Sequence, residues 1–287
     1  MDRQHEAPHM KLLTWIIQWG LGCDGQVDLR RIAGEARRIC DADVFCFQEV
    51  SAGFEDLAGN DGADQFTALA GLFEGYAAIS FAAVDMPGPK GRRRFGNMVL
   101  SRLPVGQVVR HALPWDAAGV ECMPRGALDV VVDAPAGPLR VITTHLEWSS
   151  PALRGPQVDA LRECHRLAAR RAADPPLAGK GPYDTGPGSA QAVLCGDFNM
   201  TPGDPLLARL QSPFDAPGVP QFSDAWRLRN PGAAHPPSMC LHDLGGGPAR
   251  CLDYVFVTAG LGAPLVAITY DASSDASDHQ AVVTEFA

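Results

Sequence analysis

Between residues 12 and 19 the odd positions Leu13, Trp15, Ile17 and Trp19 are all apolar, while Thr14, Ile16 and Gln18 occupy the opposite face. A repeat of two is the signature of a half-buried strand. The spacing then changes to Leu29, Ile32, Ala33, Ala36 and Ile39 behind Asp28, which predicts a helix capped by an aspartate. DVFCFQEV (43–50) is a continuous apolar run ending in a carboxylate and predicts a buried strand. A helix is predicted over 63–73, strands over 76–82, 97–101, 107–111, 128–132 and 139–144, and a long helix over 152–173. Residues 174–189, dense in Gly and Pro, read as a surface loop and a candidate disordered insertion. The last third predicts strands over 192–196, 252–258, 265–270 and 281–286 with a short helix over 205–210.

Strands and a few helices follow one another along the whole length, with no internal repeat and no compositional break. Such a pattern is satisfied by two packed mixed β-sheets with helices outside them. The expected organisation is a disordered tail over 1–10 and one α/β domain over 11–287. A chain of 287 residues is within reach of one core, since single cores stop growing near about 250–300 residues.

Composition sharpens the class. A 46% hydrophobic and 20% charged chain is globular rather than disordered or fibrous. The formal net charge of −9 argues against a protein that coats long nucleic acid, because that affinity comes from many cations neutralising phosphates. Lys90, Arg92, Arg93 and Arg94 are a local exception, readable as a phosphate-binding loop or as a solvated one. None of the eight cysteines forms a Cys-x-x-Cys pair, and several sit in apolar runs, so they are expected to be reduced thiols of a cytoplasmic protein. Cys240, His242 and Cys251 offer an irregular and incomplete zinc set. No apolar run reaches the ~20 residues of a membrane helix, so no membrane span is expected.

The chemistry-bearing residues have a shared address. Gln48 and Glu49 end one apolar strand, His145 ends another, Asp197 and Asn199 follow AVLCG, and Asp278-His279 immediately precede QAVVTEF. A single acid at a strand end is usually a turn or cap residue; its recurrence predicts a common cleft. Phosphoester hydrolysis needs a hard cation on oxygen ligands, which Glu49, Gln18 and Asp278 can supply, together with acid and base groups for water and leaving oxygen.

QEV (48–50), TTHL (143–146), GDFN (196–199), LDYVFV (252–257) and SDH (277–279) occur in the order found in endonuclease/exonuclease/phosphatase proteins, and the chain resembles that family from about Leu12 to Phe286. The resemblance implies a DNase I-like four-layer sandwich, two mixed sheets flanked by helices, and hydrolysis of a phosphate ester, with a phosphodiester favoured. It implies that Glu49 is the principal metal ligand, with Asp278 and Gln18 nearby, for Mg2+ or alternatively Mn2+. Asp197 and Asn199 resemble the pair that orients water and holds phosphate. His279, oriented by Asp253, resembles a general base or phosphate-polarising histidine, and His145 a donor to phosphate or leaving oxygen. Arg125 resembles a phosphate-binding arginine, although a surface arginine at a strand start fits the same sequence. Asp253 has its own alternative, an exposed surface acid.

Asn97 reads as a turn residue, and His242-Asp243 as a cleft-lining pair without a role. One departure stands out: Ile16 occupies the place of a family asparagine, on the predicted face of Gln18, putting an apolar group in the pocket. The alternative function is therefore a catalytically impaired or non-enzymatic binding protein on the same fold. The substrate class stays open between small molecule, lipid and nucleic acid, and no obligate protein partner is implied.

Overall fold

The computed structural model describes residues 9–116, 119–177 and 179–287. Residues 1–8 of the predicted tail lie outside the described residues, and its last residue, Met10, instead opens the first strand. That strand, β1 (Met10–Ile16), pairs in parallel with β2 (Val44–Ala52) and antiparallel with β12 (Val282–Phe286). With β11 (Leu265–Tyr270), β4 (Gly91–Ser101) and β3 (Ala77–Gly88), these form a six-stranded mixed sheet in the order β11-β12-β1-β2-β4-β3. The second six-stranded sheet joins β5 (Val105–Ala112), β6 (Gly126–Ala134), β7 (Gly137–His145), β8 (Ala192–Asp197), β10 (Asp253–Thr258) and β9 (Phe222–Asp224) in that order. Only β7 and β8 run parallel within it.

Alternation along the strands gives each sheet two faces to bury. Leu12, Val44, Cys46 and Val99 of the first sheet meet Leu128, Val130, Val141, Val193 and Val255 of the second, forming the central core. Leu13, Trp15, Phe45 and Phe47 pack outward beneath α1 (Leu29–Ile39) and α2 (Gln65–Leu72). Ile142, Leu194 and Phe256 pack outward beneath α3 (Pro151–Ala173) and α4 (Pro205–Leu210). The outcome is a four-layer sandwich, two packed mixed sheets with helices outside, as the strand and helix pattern predicts and the resemblance implies. Asp28 caps α1 as expected, accepting from the N–H groups of Arg30 and Arg31.

Several local expectations change. The strand predicted to run through Gln18 stops at Ile16, and Gln18–Gly20 forms a 3-10 turn with φ of 46° and 44° at Gln18 and Trp19. The apolar alternation continued past the strand because Ile17 stays fully buried beside Trp15 after the backbone has turned. The strands predicted over 76–82 and 97–101 extend into one long hairpin that includes Arg92, Arg93 and Arg94. Lys90 pairs with Glu55 at 2.6 Å, Arg92 with Asp85 at 2.6 Å, Arg94 with Asp64 at 2.8 Å, and Arg93 with Asp56. Every cation of the cluster faces a carboxylate, so the positive charge of the hairpin is locally compensated. The short β9 and α5 (Ala225–Arg229) lack a periodic signal and were not anticipated.

All eight cysteines are free. The zinc candidates diverge: His242 Nε2 donates to the Ala272 carbonyl at 3.1 Å, and Cys251 Sγ donates to the Asp253 carbonyl. Among the described residues no helix is long and apolar enough to cross a membrane.

Gly196 lets the second sheet place its acidic end. It lies opposite Thr144 in the β7–β8 pair with φ of 129°, and an added Cβ would fall 2.0 Å from the Thr144 carbonyl oxygen. Gly196→Ala is expected to destabilise the protein by about 2–4 kcal/mol through left-handed strain and overpacking. Urea unfolding measures this, and a change below about 0.5 kcal/mol, the level of a neutral surface substitution, would contradict the steric account.

Candidate active site

The polar strand ends of the two sheets converge. Gln18, Glu49, Arg125, His145, Asp197, Asn199, Asp278 and His279 all line one cleft of about 670 Å³. Asp253, the remaining predicted site residue, lies behind His279, 2% exposed, which excludes its reading as a surface acid. First-sheet strands and their connections supply Gln18, Glu49, Asp278 and His279; second-sheet strands supply His145, Asp197 and Asp253.

Backbone geometry aims several of these side chains. Glu49 sits where β2 and β4 lose register between Phe47 and Val50, and its φ is 61°. Gln18, Glu49 and Asn199 are three of the five described non-glycine residues with positive φ. Such conformations cost on the order of 1–3 kcal/mol each and persist only where the surroundings enforce them. Their coincidence with residues chosen from sequence chemistry links the strain to the cleft.

His279 receives the tightest support. Its Nδ1 donates to Asp253 Oδ2 at 2.7 Å, Trp15 Nε1 donates to its carbonyl at 2.9 Å, and its own N–H donates to Ser277 Oγ at 3.3 Å. Ser238 Oγ donates to the same Asp253 oxygen at 2.7 Å while accepting from the N–H groups of Leu252 and Asp253. The arrangement fixes the imidazole and leaves Nε2 as the nitrogen free for the cleft. Gln18 Nε2 donates to Asp278 Oδ2 at 3.1 Å. Asp197 Oδ1 accepts from the Asn199 N–H at 2.6 Å, and its Oδ2 lies 3.4 Å from His145 Nε2. Asn199 Nδ2 donates to the Leu146 carbonyl at 3.0 Å, and His145 Nδ1 is 3.8 Å from Glu49 Oε1.

Arg125 is 4% exposed, which removes its surface alternative. Its nearest carboxylate, Glu147, is fully buried and was missed in the sequence, where an acid between Leu146 and Trp148 carries no periodic signal. Ser238 was missed for the same reason. Asn97 is corrected: it lies within β4, buried, and donates to the carbonyls of Gly126 and Thr143 across the sandwich. His242 and Asp243 do not line the cleft; that loop contributes Met239, Gly246 and Arg250. Ile16 is also corrected. It is 1% exposed and stands outside the cleft lining, paired with Gln48, while its carbonyl accepts from Ser277 Oγ at 2.7 Å.

Burying so many acids alters their protonation. Burial, reinforced by the charge of Asp278, pushes Glu49 up to about 7, and burial with the charge of Asp253 pushes Asp197 up to about 8. Asp278 is raised as well, chiefly by burial. Burial alone would lower His279, but Asp253, then Asp197 and Asp278, overcome it and raise the imidazole to about 10. His145 has no such dominant partner; burial and then the charges of Arg125 and His279 hold it well below the usual histidine range. At neutral pH the cleft thus contains one imidazolium and one neutral imidazole.

In the metal-free protein the native state keeps protons that the unfolded chain releases: on Glu49 from its ordinary 4.5 up to about 7, on Asp197 from 3.8 up to about 8, and on His279 from 6.5 up to about 10. Stability rises with pH only where the unfolded chain binds more protons, so these groups make stability fall as pH increases through those windows. Glu49→Gln is expected to flatten the decline between about pH 5 and 7 by up to ~1 kcal/mol per pH unit. Urea unfolding in chelator across that range reads the slope, and an unchanged slope would mean that Glu49 titrates normally.

The sequence profile of the Endonuclease/Exonuclease/phosphatase family matches residues 19–279. An endonuclease/exonuclease/phosphatase from Beutenbergia cavernae DSM 12333 superposes with a TM-score of 0.65 at 27% identity, covering 97% of this chain and 71% of that one. The human Nocturnin catalytic domain with bound sulfate anion gives a TM-score of 0.63 at 17% identity, covering 100% and 95%. D. rerio TDP2 complexed with single strand DNA product gives 0.62 at 16%, covering 97% and 99%. No curated protein matches the chain. The two less identical structures speak for the fold alone, whereas the profile spans nearly the whole domain, including Glu49, His145, GDFN and the SDH triplet: the chain belongs to the endonuclease/exonuclease/phosphatase family.

Proposed function

We propose that the cleft hydrolyses a phosphate ester with water, preferentially a phosphodiester, in a reaction dependent on Mg2+, with Mn2+ as a substitute. Family membership points to phosphoester hydrolysis in general. The single observation that carries the finer reading is the meeting of a buried acid, two half-buried acids and a buried guanidinium in one cleft: Asp197, Glu49 and Asp278 call for a cation, while Arg125 calls for an anion.

Among the described residues no group of three or more Cys, His, Asp or Glu side chains is placed to hold a metal ion. Mg2+ does not require one, because it keeps several waters and takes one or two protein carboxylates alongside substrate oxygens. Glu49 and Asp278 fit as that donor set, since each carboxyl is raised by burial, and Gln18 holds Asp278 from the side. When bound, such a cation neutralises charge on the phosphoryl oxygens.

The chain's own residues take complementary roles in this reading. Asp197, its carboxyl fixed by the backbone N–H of Asn199, orients the attacking water and takes its proton once it is itself ionised, so this step gains as pH rises toward about 8. His279, kept charged by Asp253, donates from Nε2 to a phosphoryl oxygen. Neutral His145 donates toward phosphate or the leaving oxygen, and Arg125 binds a non-bridging oxygen. Trp19, Phe95, Met123 and Trp148 add apolar wall to the same cleft, which favours an ester bearing an organic group. The net charge of −9 and the compensated hairpin favour a small or lipid ester over long nucleic acid. The DNA product named for the D. rerio structure keeps nucleic acid in the substrate panel.

Mg2+-dependent release of p-nitrophenolate from bis-p-nitrophenyl phosphate is expected for wild type and should fall roughly 10²–10⁴-fold in His279→Ala. Ile16→Asn is expected to give no gain, because that position lies outside the cleft lining. Equal rates for wild type and His279→Ala would defeat the catalytic reading. A large gain in Ile16→Asn would instead mark the natural chain as an impaired enzyme. Binding to a short DNA duplex is expected to be weak and to depend little on salt; a steep slope would move the substrate class to nucleic acid.

A further inference from the structure

Arg125, which resembles a phosphate-binding arginine, forms a buried pair with Glu147, to which the resemblance gives no role. Their side chains are 4% and 0% exposed, and Arg125 Nε lies 3.7 Å from Glu147 Oε2, beyond hydrogen-bonding distance. Among the described residues Arg125 Nε and Nη1 and Glu147 Oε2 have no hydrogen-bond partner. Buried charged groups left in this way are costly, so the geometry calls for an explanation.

Glu147 cannot drift toward the arginine, because its other oxygen is tied down. Oε1 accepts from both the N–H and the Oγ of Ser149, each at 2.9 Å. Its backbone is clamped as well: Gln157 Oε1 accepts from the Glu147 N–H, and Arg154 Nη1 donates to the carbonyls of Glu147 and Trp148, all at 2.9 Å. Arg154 and Gln157 are themselves buried at the start of α3. The carboxylate is therefore a fixed negative charge beside the Nε edge of Arg125, while Arg125 also borders the cleft that holds Glu49, Asp197 and His279.

We propose that Glu147 is a positioning residue for the reaction: its carboxylate stands at the enclosed Nε edge of Arg125 and holds the guanidinium so that Nη2, the nitrogen that is not fully enclosed, is presented to an anionic oxygen of the substrate. This rests on the phosphoester reading of the cleft. At 3.7 Å the fixed carboxylate attracts the guanidinium without hydrogen-bonding it, which leaves the Nη2 donor available for a phosphoryl group. Ser149 serves the same end indirectly by orienting Glu147.

Glu147→Gln removes the charge while keeping the shape and an oxygen for Ser149. The test is a double-mutant cycle with Arg125→Ala, reading KM for bis-p-nitrophenyl phosphate and, independently of turnover, the calorimetric Kd of inorganic phosphate with Mg2+ present. In the wild-type background Glu147→Gln is expected to raise both about ten-fold, the size of one charged contact. In the Arg125→Ala background it should change neither, and added guanidinium chloride should partly restore phosphate binding to Arg125→Ala only while Glu147 is intact. Ser149→Ala, which keeps the carboxylate, should weaken phosphate binding less and again only when Arg125 is present. If the losses from Glu147→Gln or Ser149→Ala persist unchanged without Arg125, or if neither substitution alters phosphate binding, the positioning role is wrong. A wild-type protein that binds phosphate but turns over no ester would overturn the hydrolase reading alone, and the binding cycle would still decide the role of Glu147.

Discussion

The hydrogen bond between His279 and Asp253 ties the two halves of the sandwich together at the cleft. His279 precedes β12 of the first sheet, and Asp253 opens β10 of the second, yet their side chains meet at 2.7 Å in a nearly solvent-free position. A buried imidazolium is tolerable only beside a compensating carboxylate, and that carboxylate is tolerable only because Ser238 and the imidazole share its oxygen. Neither sheet can therefore shift without exposing an unpaired charge to the other. The same requirement that aligns the sheets also keeps His279 charged and aimed into the cleft.

Other polar contacts repeat this arrangement at the same end of the molecule. Gln48 Nε2 donates to Thr143 Oγ1 at 2.7 Å, and Asn97 reaches the Gly126 and Thr143 carbonyls, so first-sheet amides cross to the second sheet. Elsewhere the interface is apolar, mostly Val and Leu with Cys, Ile, Ala, Met10 and Phe286 among them. The interior thus changes from apolar packing to a hydrogen-bonded network toward the cleft. Apolar packing supplies most of the attraction between the sheets, whereas the directional network specifies their alignment.

The cleft concentrates features that are individually unfavourable. Left-handed backbone at Gln18, Glu49 and Asn199, raised carboxyls at Glu49, Asp197 and Asp278, and a buried arginine all occur within it. A fold selected for stability alone would avoid placing these together. A divalent cation and a phosphoryl group would relieve the acids and the arginine together, which is why one functional reading accounts for the whole set. By contrast, the most cationic stretch of the sequence is internally compensated and adds no comparable demand for an anion.

The sequence by itself determined the four-layer plan, because strand alternation, the helical spacing behind Asp28 and the apolar runs ending in acids are local consequences of burial. It also marked Gln18, Glu49, His145, Asp197, Asn199, Asp278 and His279, whose side-chain chemistry at strand ends and whose ordered motifs are visible without coordinates. Tertiary structure alone decided which nearby residues serve those groups. Glu147 and Ser238 stand in segments with no period, Asn97 looks like a turn residue, and Ile16 looks like a cleft residue until the chain turns at Ile17. The difference is physical: periodicity records which face of one element is buried, but pairing a charge with its partner depends on segments far apart in the chain, and no local pattern encodes that distance.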